Sequence, residues 1–208
     1  MAEIMDENLN LNYAELCGSM ASPPMFSHVS RGESFYVFPL SVERLSGTED
    51  IINIIVRETD LSEIQPQDEE KIRIVGEVRS YNNKSGGGAK LVITVFAKKI
   101  ELVCGEDENV IRLAGTLCKA PNKRTTPMGR DICDLMLAVN RRYGRSDYLP
   151  CIAWGTKALR AAEWQVGTRV TLEGRIQSRS YIKILGDVPV EKTAYEISVI
   201  EIEENPPA

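Results

Sequence analysis

The chain has 208 residues, 43% of them hydrophobic, with 25 Lys and Arg against 30 Asp and Glu for a formal net charge of −5. That is enough apolar content for two modest cores, and no apolar run is long enough to span a bilayer. The acidic start Met1-Ala-Glu-Ile-Met-Asp-Glu7 lacks the basic and apolar regions of a signal peptide, so a soluble cytoplasmic protein is expected.

Read along the chain, the first half returns in the second at a constant spacing of 97 residues. Gly18, Pro24, Gly32 and Gly47 answer Gly115, Pro121, Gly129 and Gly144, while Asn12, Leu16, Leu40, Val42, Arg44 and Asp50 answer Asn109, Leu113, Leu137, Val139, Arg141 and Asp147. After Ile64 the spacing slips by one, so Gly76 answers Gly174 and Ser80 answers Ser178. A fixed offset across four glycine and proline positions implies two tandem modules, 1–104 and 105–208, each of ordinary domain size.

In the first module, alternation predicts strands, with Tyr36, Phe38, Leu40 and Val42 sharing the core side. Asp60-Leu-Ser-Glu-Ile-Gln-Pro66 allows about one helical turn, Ser85-Gly-Gly-Gly88 a flexible hairpin loop, and Val103-Cys-Gly-Glu-Asp-Glu108 the candidate linker. In the second module the predicted strands are 110–117, 132–140, 148–153, 170–178 and 194–202. One helix precedes the fourth, with Thr156 as its cap, Leu159, Ala162 and Val166 on its inner side and Gly167 at its end. Three strands, a helix and two strands is the order of the OB fold. The expected class is all-β with small helices, as two tandem five-stranded OB barrels.

The five cysteines, Cys17, Cys104, Cys118, Cys133 and Cys151, form no Cys-x-x-Cys pair, and His28 is the lone histidine, so neither a zinc site nor a disulfide framework is expected. Cys17, Cys133 and Cys151 fall in apolar strand patterns and read as small core residues. There is no glycine-rich phosphate loop, and His28 has no nucleophile arrangement around it, so neither catalysis nor a cofactor is expected.

Charge is unevenly divided. Residues 1–106 hold 10 Lys and Arg against 17 Asp and Glu, whereas 109–192 hold 15 against 7. The bulk acidity conceals a basic second module. Alternation along its third strand puts Tyr148, Pro150, Ile152 and Trp154 on the outer face, and along its fourth it turns Arg169, Arg175, Gln177, Arg179 and Tyr181 outward. The loop Lys119-Ala-Pro-Asn-Lys123-Arg124-Thr-Thr-Pro-Met-Gly-Arg130 and the hairpin Arg141-Arg142-Tyr143-Gly-Arg145 add further cations. Aromatic faces on which bases stack, interleaved with cations that neutralise phosphates, are what an unpaired nucleic-acid strand requires. Trp164, on the helix beside core positions, reads as structural. At the matching positions the first module has Ile51 for Tyr148, Arg57 for Trp154, Ser22 for Lys119, Ser27 for Arg124 and Glu33 for Arg130, so it reads as a barrel kept for packing or pairing. Phe35 and Tyr81 leave open a weaker contact there.

The second module also resembles the bacterial single-stranded DNA-binding protein family over nearly its whole length. The resemblance rests on Asn109-Val-Ile-Arg-Leu-Ala-Gly-Thr-Leu117, Leu137-Ala-Val-Asn-Arg-Arg142, Ser146-Asp-Tyr-Leu-Pro-Cys-Ile-Ala-Trp-Gly155, Val170-Thr-Leu-Glu-Gly-Arg-Ile-Gln-Ser-Arg179 and Glu191-Lys-Thr-Ala-Tyr-Glu-Ile197. The first module shows it faintly, in Val75-Gly-Glu-Val-Arg-Ser-Tyr81. The resemblance implies base stacking by Tyr148, Trp154 and Tyr181. Typical members have one barrel and form homotetramers, so a homodimer supplying the same four barrels is expected, with a monomer as the alternative. They also end in an acidic tip closing on Pro-Phe that recruits replication and repair proteins. The ending Glu203-Glu-Asn-Pro-Pro-Ala208 differs, which fits a specialised, phage-borne or auxiliary form. The resulting expectation is a non-catalytic, largely sequence-independent single-stranded DNA binder acting in replication, recombination or repair. The alternatives are a primosome-like accessory module whose first barrel docks a protein, and an RNA-binding OB protein, since stacking does not read the 2′-hydroxyl.

Overall fold

The computed structural model describes residues 11–62, 64, 70–83, 91–141, 144–185 and 188–205; the predicted 85–88 loop, Pro66, Arg142 and Tyr143 lie outside them. The chain divides into two compact units, one of 13–110 with 177–194, the other of 111–176 with 11–12 and 195–205. The main division falls between Val110 and Ile111, whereas the sequence reading placed it at 104/105. The segment 177–194 of the second repeat, however, folds with the first unit.

The first unit contains β1 (Asn12–Met20), β2 (Met25–Ser30), β3 (Glu33–Glu43), β4 (Glu49–Arg57), the short helix α1 (Glu58–Ser62), β5 (Lys71–Asn82) and β6 (Leu91–Val103). Its strand order is β2-β3-β4-β6-β5-β1, with β4 and β6 parallel, and a further pairing of β1 with β3, Ser19 opposite Ser41, closes five strands into a barrel. The sequence dictates much of this. In β4, Glu-Asp-Ile-Ile-Asn-Ile-Ile-Val-Arg alternates strictly, so Ile52, Ile54 and Val56 are buried while β-branched neighbours suit the pleated strand. Parity fails at the start of β3. Phe35 is buried and Tyr36, assigned to the core by alternation, is half-exposed, alongside a β2 that carries one extra residue between Phe26 and His28.

The other barrel uses β7 (Glu108–Leu117), β8 (Asn122–Thr125), β9 (Asp131–Asn140), β10 (Ser146–Trp154), α2 (Thr156–Ala161), β11 (Arg169–Leu185) and β12 (Val188–Glu204). The order β7-β11-β12-β10-β9-β8 repeats the first, with β10 and β12 parallel and β7 pairing β9, Thr116 opposite Ala138, to close the ring. Both barrels are thus OB barrels, each with a short extra strand, β2 or β8, that the sequence reading placed in loops.

The glycine matches acquire a cause here. A Cβ on Gly18 would sit 2.2 Å from the Ser41 carbonyl oxygen, and one on Gly115 would sit 2.6 Å from that of Ala138 and 2.8 Å from the Leu137 side chain. Both glycines lie where the closing strands approach most nearly. Gly115→Ala is therefore expected to cost about 2 kcal/mol through forced backbone shifts, read as a lower urea midpoint at unchanged slope.

The helix differs from its prediction. It ends after six residues and buries Ala158 and Ala161, while Leu159 and Val166 are exposed. Its N-cap is Gly155, with no side-chain cap bond, rather than Thr156; Ala162 is its C-cap, so Gly167 lies beyond its end. These alanines lie on a helix that packs on β9 and β10, a buried site that suits small side chains.

Cys17, Cys133 and Cys151 are buried in the barrels, and burial pushes each thiol upward. Cys104 is exposed and Cys118 half-buried. A thiol reagent should therefore label Cys104 first in the native protein and reach the three core thiols only on unfolding, a sequence that time-resolved mass spectrometry reads directly.

Candidate nucleic-acid interface

The outer face of β10 follows from its alternation. Leu149, Cys151 and Ala153 are buried inward, leaving Tyr148 51% and Trp154 39% exposed. Six residues of extended chain put their backbones about 20 Å apart. Ile152, predicted to share the outer face, is buried, so the surface is two aromatic platforms separated by Pro150 rather than a continuous apolar stripe. Trp154 ends the strand because Gly155 follows with φ 59° and ψ −130°, a conformation only glycine adopts readily, and its N–H donates to the Asp131 carbonyl at 2.9 Å.

Register carries charge toward Trp154. Trp154 lies opposite Ile132 on β9, and Ile132 opposite Arg124 on β8, so Trp154 and Arg124 share a cross-strand row. Arg124 forks onto Asp134 at 2.6 and 3.0 Å, and this carboxylate holds the guanidinium above its usual range. Lys123 reaches Asp131 at 3.6 Å. These two predicted contacts therefore begin from ion pairs with neighbouring acids, partners that sequence reading did not assign although both sit in the same short hairpin. Lys119, Arg130 and Arg145 are exposed, with no carboxylate partner among the described residues. Met128, at the tip of the same loop and strongly exposed, is an apolar surface the sequence reading did not single out.

Arg141 is committed elsewhere. Its Nε donates to Asp147 Oδ2 at 2.5 Å and its Nη2 to Oδ1, and the Asp147 side chain is 0% exposed. The duplicated residues make the same pair in the first unit, where Arg44 donates to Asp50 at 2.7 and 2.5 Å. The repeat-wide match of Arg44 and Asp50 with Arg141 and Asp147 thus marks a hairpin ion pair, a structural role. Arg175, on β11, is half-buried. Arg160 lies over the Trp164 ring at 5.8 Å, which keeps that tryptophan half-buried beside the helix.

Arg179 and Tyr181, read from the sequence as part of one face with Tyr148 and Trp154, lie in the 177–194 segment of the first unit, Arg179 exposed and Tyr181 half-buried. In that unit Arg57, standing where Trp154 stands in the repeat, pairs with Glu33 at 3.4 Å and Asp60 at 3.5 Å and lies over Phe96. The aromatics here sit off the matching strand: His28 stacks on Phe35 at 4.9 Å and Phe26 meets Tyr36 edge-on at 6.0 Å, with Tyr36 donating to Glu58. Among the described residues no group of His, Cys, Asp and Glu is placed to hold a metal ion, and no helix is long and apolar enough to cross a membrane.

Comparison with known proteins agrees with the geometry. Residues 108–204 match the model of the single-strand binding protein family. Single-stranded DNA-binding protein B of Bacillus subtilis is 38% identical over 80 residues, covering 35% of this chain and 71% of that protein. Single-stranded DNA-binding protein 2 of Streptomyces coelicolor is 34% identical over 106 residues, 46% of this chain and 52% of that protein. Single-stranded DNA-binding protein 2 of Listeria innocua is 35% identical over 80 residues, 35% of this chain and 50% of that protein. The chain thus spans about half the length of most of these relatives. The wild-type single-stranded DNA binding protein of Thermus aquaticus superimposes with a TM-score of 0.75 over 95% of this chain and 94% of that one, at 21% identity, so both barrels share its fold. Taken with the matched strands of the second module, the chain belongs to the single-strand binding protein family.

Proposed function

We propose that the protein binds single-stranded DNA without catalysis and with little sequence preference, in bacterial or phage-infected cytoplasm during replication, recombination or repair. The observation that carries this reading is the pair of exposed aromatics, Tyr148 and Trp154, on one barrel strand whose adjoining loops present Lys119, Arg130 and Arg145 without carboxylate partners among the described residues. Bases stack on such platforms whatever their identity, and the cations neutralise the intervening phosphates. Lys123 and Arg124 join by exchanging Asp131 and Asp134 for phosphate. Arg142, Tyr143 and Arg175 extend the contact, and Arg179 and Tyr181 are contacts that the first unit offers a strand. Two chains forming a homodimer would assemble four barrels.

A second reading has an observation of its own. β2 lies at the sheet edge of the acidic unit and exposes Met25, Phe26 and Val29, which favours docking of a protein partner such as a replication or repair factor. Competition among matched single-stranded DNA, duplex DNA and single-stranded RNA, with light scattering for the assembly state, tests the first reading. Preference for the DNA strand supports it; equal or tighter RNA binding contradicts it.

A further inference from the structure

The 177–194 segment is a hairpin arm formed by the far ends of β11 and β12, and it belongs to the first unit although the second repeat encodes it. A two-stranded hairpin is marginal by itself, so something must hold this one. At its root, one buried carboxylate takes part in holding it. Asp50, 0% exposed, accepts from the Ser178 backbone N–H at 2.7 Å and from the Ser178 hydroxyl at 3.4 Å; the Ile51 N–H in turn donates to Ser178 Oγ at 2.9 Å. Arg44 neutralises the same carboxylate through both oxygens. One residue beyond Ser178 the arm exposes Arg179, three beyond it carries Tyr181, and Ile182 and Ile184 follow, both strongly exposed.

We infer that Asp50 is a positioning residue for nucleic-acid binding: from the first barrel it clamps the root of the arm and so fixes Arg179 and Tyr181, an inference that rests on the single-strand binding reading above. The arrangement solves two physical problems. Ordering the arm before binding removes part of the entropy cost that a loose hairpin would incur on meeting a strand. Burying Asp50 against Arg44 also keeps its negative charge from opposing a phosphate at Arg179, in a module that is otherwise acidic. Asp50 touches no nucleic acid in this account; it acts through Ser178.

Ser178→Ala tests this most cleanly, because it removes the hydroxyl bonds and leaves the Arg44 and Asp50 pair in place. Ser178→Thr keeps a hydroxyl, and Asp50→Asn removes the charge. Hydrogen exchange of the whole chain should quicken within 177–194 for Ser178→Ala and Asp50→Asn with the remaining strands unchanged, and Ser178→Thr should restore protection. Affinity for oligo(dT) should fall by about five-fold in Ser178→Ala, the scale of one lost hydrogen bond. In a Tyr181→Ala background the same change should lower it no further, because the arm's contact is already gone. Unchanged exchange in the arm of both Ser178→Ala and Asp50→Asn would overturn the clamp. An affinity loss of equal size in both backgrounds, or none in either, would overturn the positioning role while leaving the function reading intact. A wild-type protein that does not bind oligo(dT) would overturn the function reading and the role with it, and the exchange result would still report the clamp.

Discussion

Replacing Trp154 with alanine is expected to weaken binding to oligo(dT) by roughly ten-fold or more, and Tyr148→Ala by a similar factor, since one base stacked on an aromatic side chain contributes about 1–3 kcal/mol. The two platforms lie about 20 Å apart along β10, far enough for the losses to add nearly independently. Neither change should affect the fold, because both rings project from the outer face and leave Leu149, Cys151 and Ala153 in place. Affinity should also fall with salt. Lys119, Arg130 and Arg145 alone give a logarithmic slope of about −2, from about −0.7 for each phosphate neutralised on a single strand, and Lys123, Arg124 and Arg179 steepen it as they join. Lys119→Ala should flatten that slope by less than one and leave base stacking alone. Fluorescence anisotropy across a salt series measures both effects.

Arg141→Ala should act on stability instead. It leaves the Asp147 carboxylate at 0% exposure without its cation, and stranding a buried charge costs about 3–5 kcal/mol. Asp147→Ala should cost less, about 2 kcal/mol, because the Arg141 side chain is 26% exposed and can turn toward water. Urea unfolding should place the two variants in that order. Any Arg141→Ala protein that remains folded should bind oligo(dT) nearly as the wild type does. A selective loss of affinity at wild-type stability would return Arg141 to the binding face.

Much of the architecture was legible because its causes are local. Strand alternation buries alternate residues in β4, β5 and the 169–176 part of β11, and the glycine matches mark turns and closing strands that any barrel of this topology requires. The order of strands and the outward parity of the two aromatics on β10 were legible in the same pattern, to which the family resemblance added an expected stacking role. What failed to show depends on contacts distant in sequence. Alternation assigned Tyr36 to the core, whereas its ring meets Phe26 of β2 and its hydroxyl Glu58, partners that no local pattern reveals. Helical periodicity favoured Leu159 and Val166 as buried residues, whereas α2 ends at Ala161, before Val166, and turns Ala158 and Ala161 inward instead. The strand β8, Asn-Lys-Arg-Thr, has no apolar residue to alternate and read as a basic loop. Among other contacts, the 177–194 arm meets the first unit through Asp50 and Ser178, 128 positions apart, and no window of sequence places them together. Charge told a similar half-truth: the basic loop was visible, but the pairing of Arg124 with Asp134 and of Arg141 with Asp147 needed the pleat and register.

The most direct measurement of the central claim is a titration of intrinsic tryptophan fluorescence with oligo(dT), at low and high salt, for the wild type and Trp154→Ala. Trp154 is exposed on the proposed face and Trp164 is half-buried under Arg160, so the account predicts strong quenching in the wild type, weaker at high salt, and little quenching in the variant. Quenching of equal depth in both proteins, or no salt-dependent binding at all, would contradict it and turn attention to the exposed edge at Met25, Phe26 and Val29.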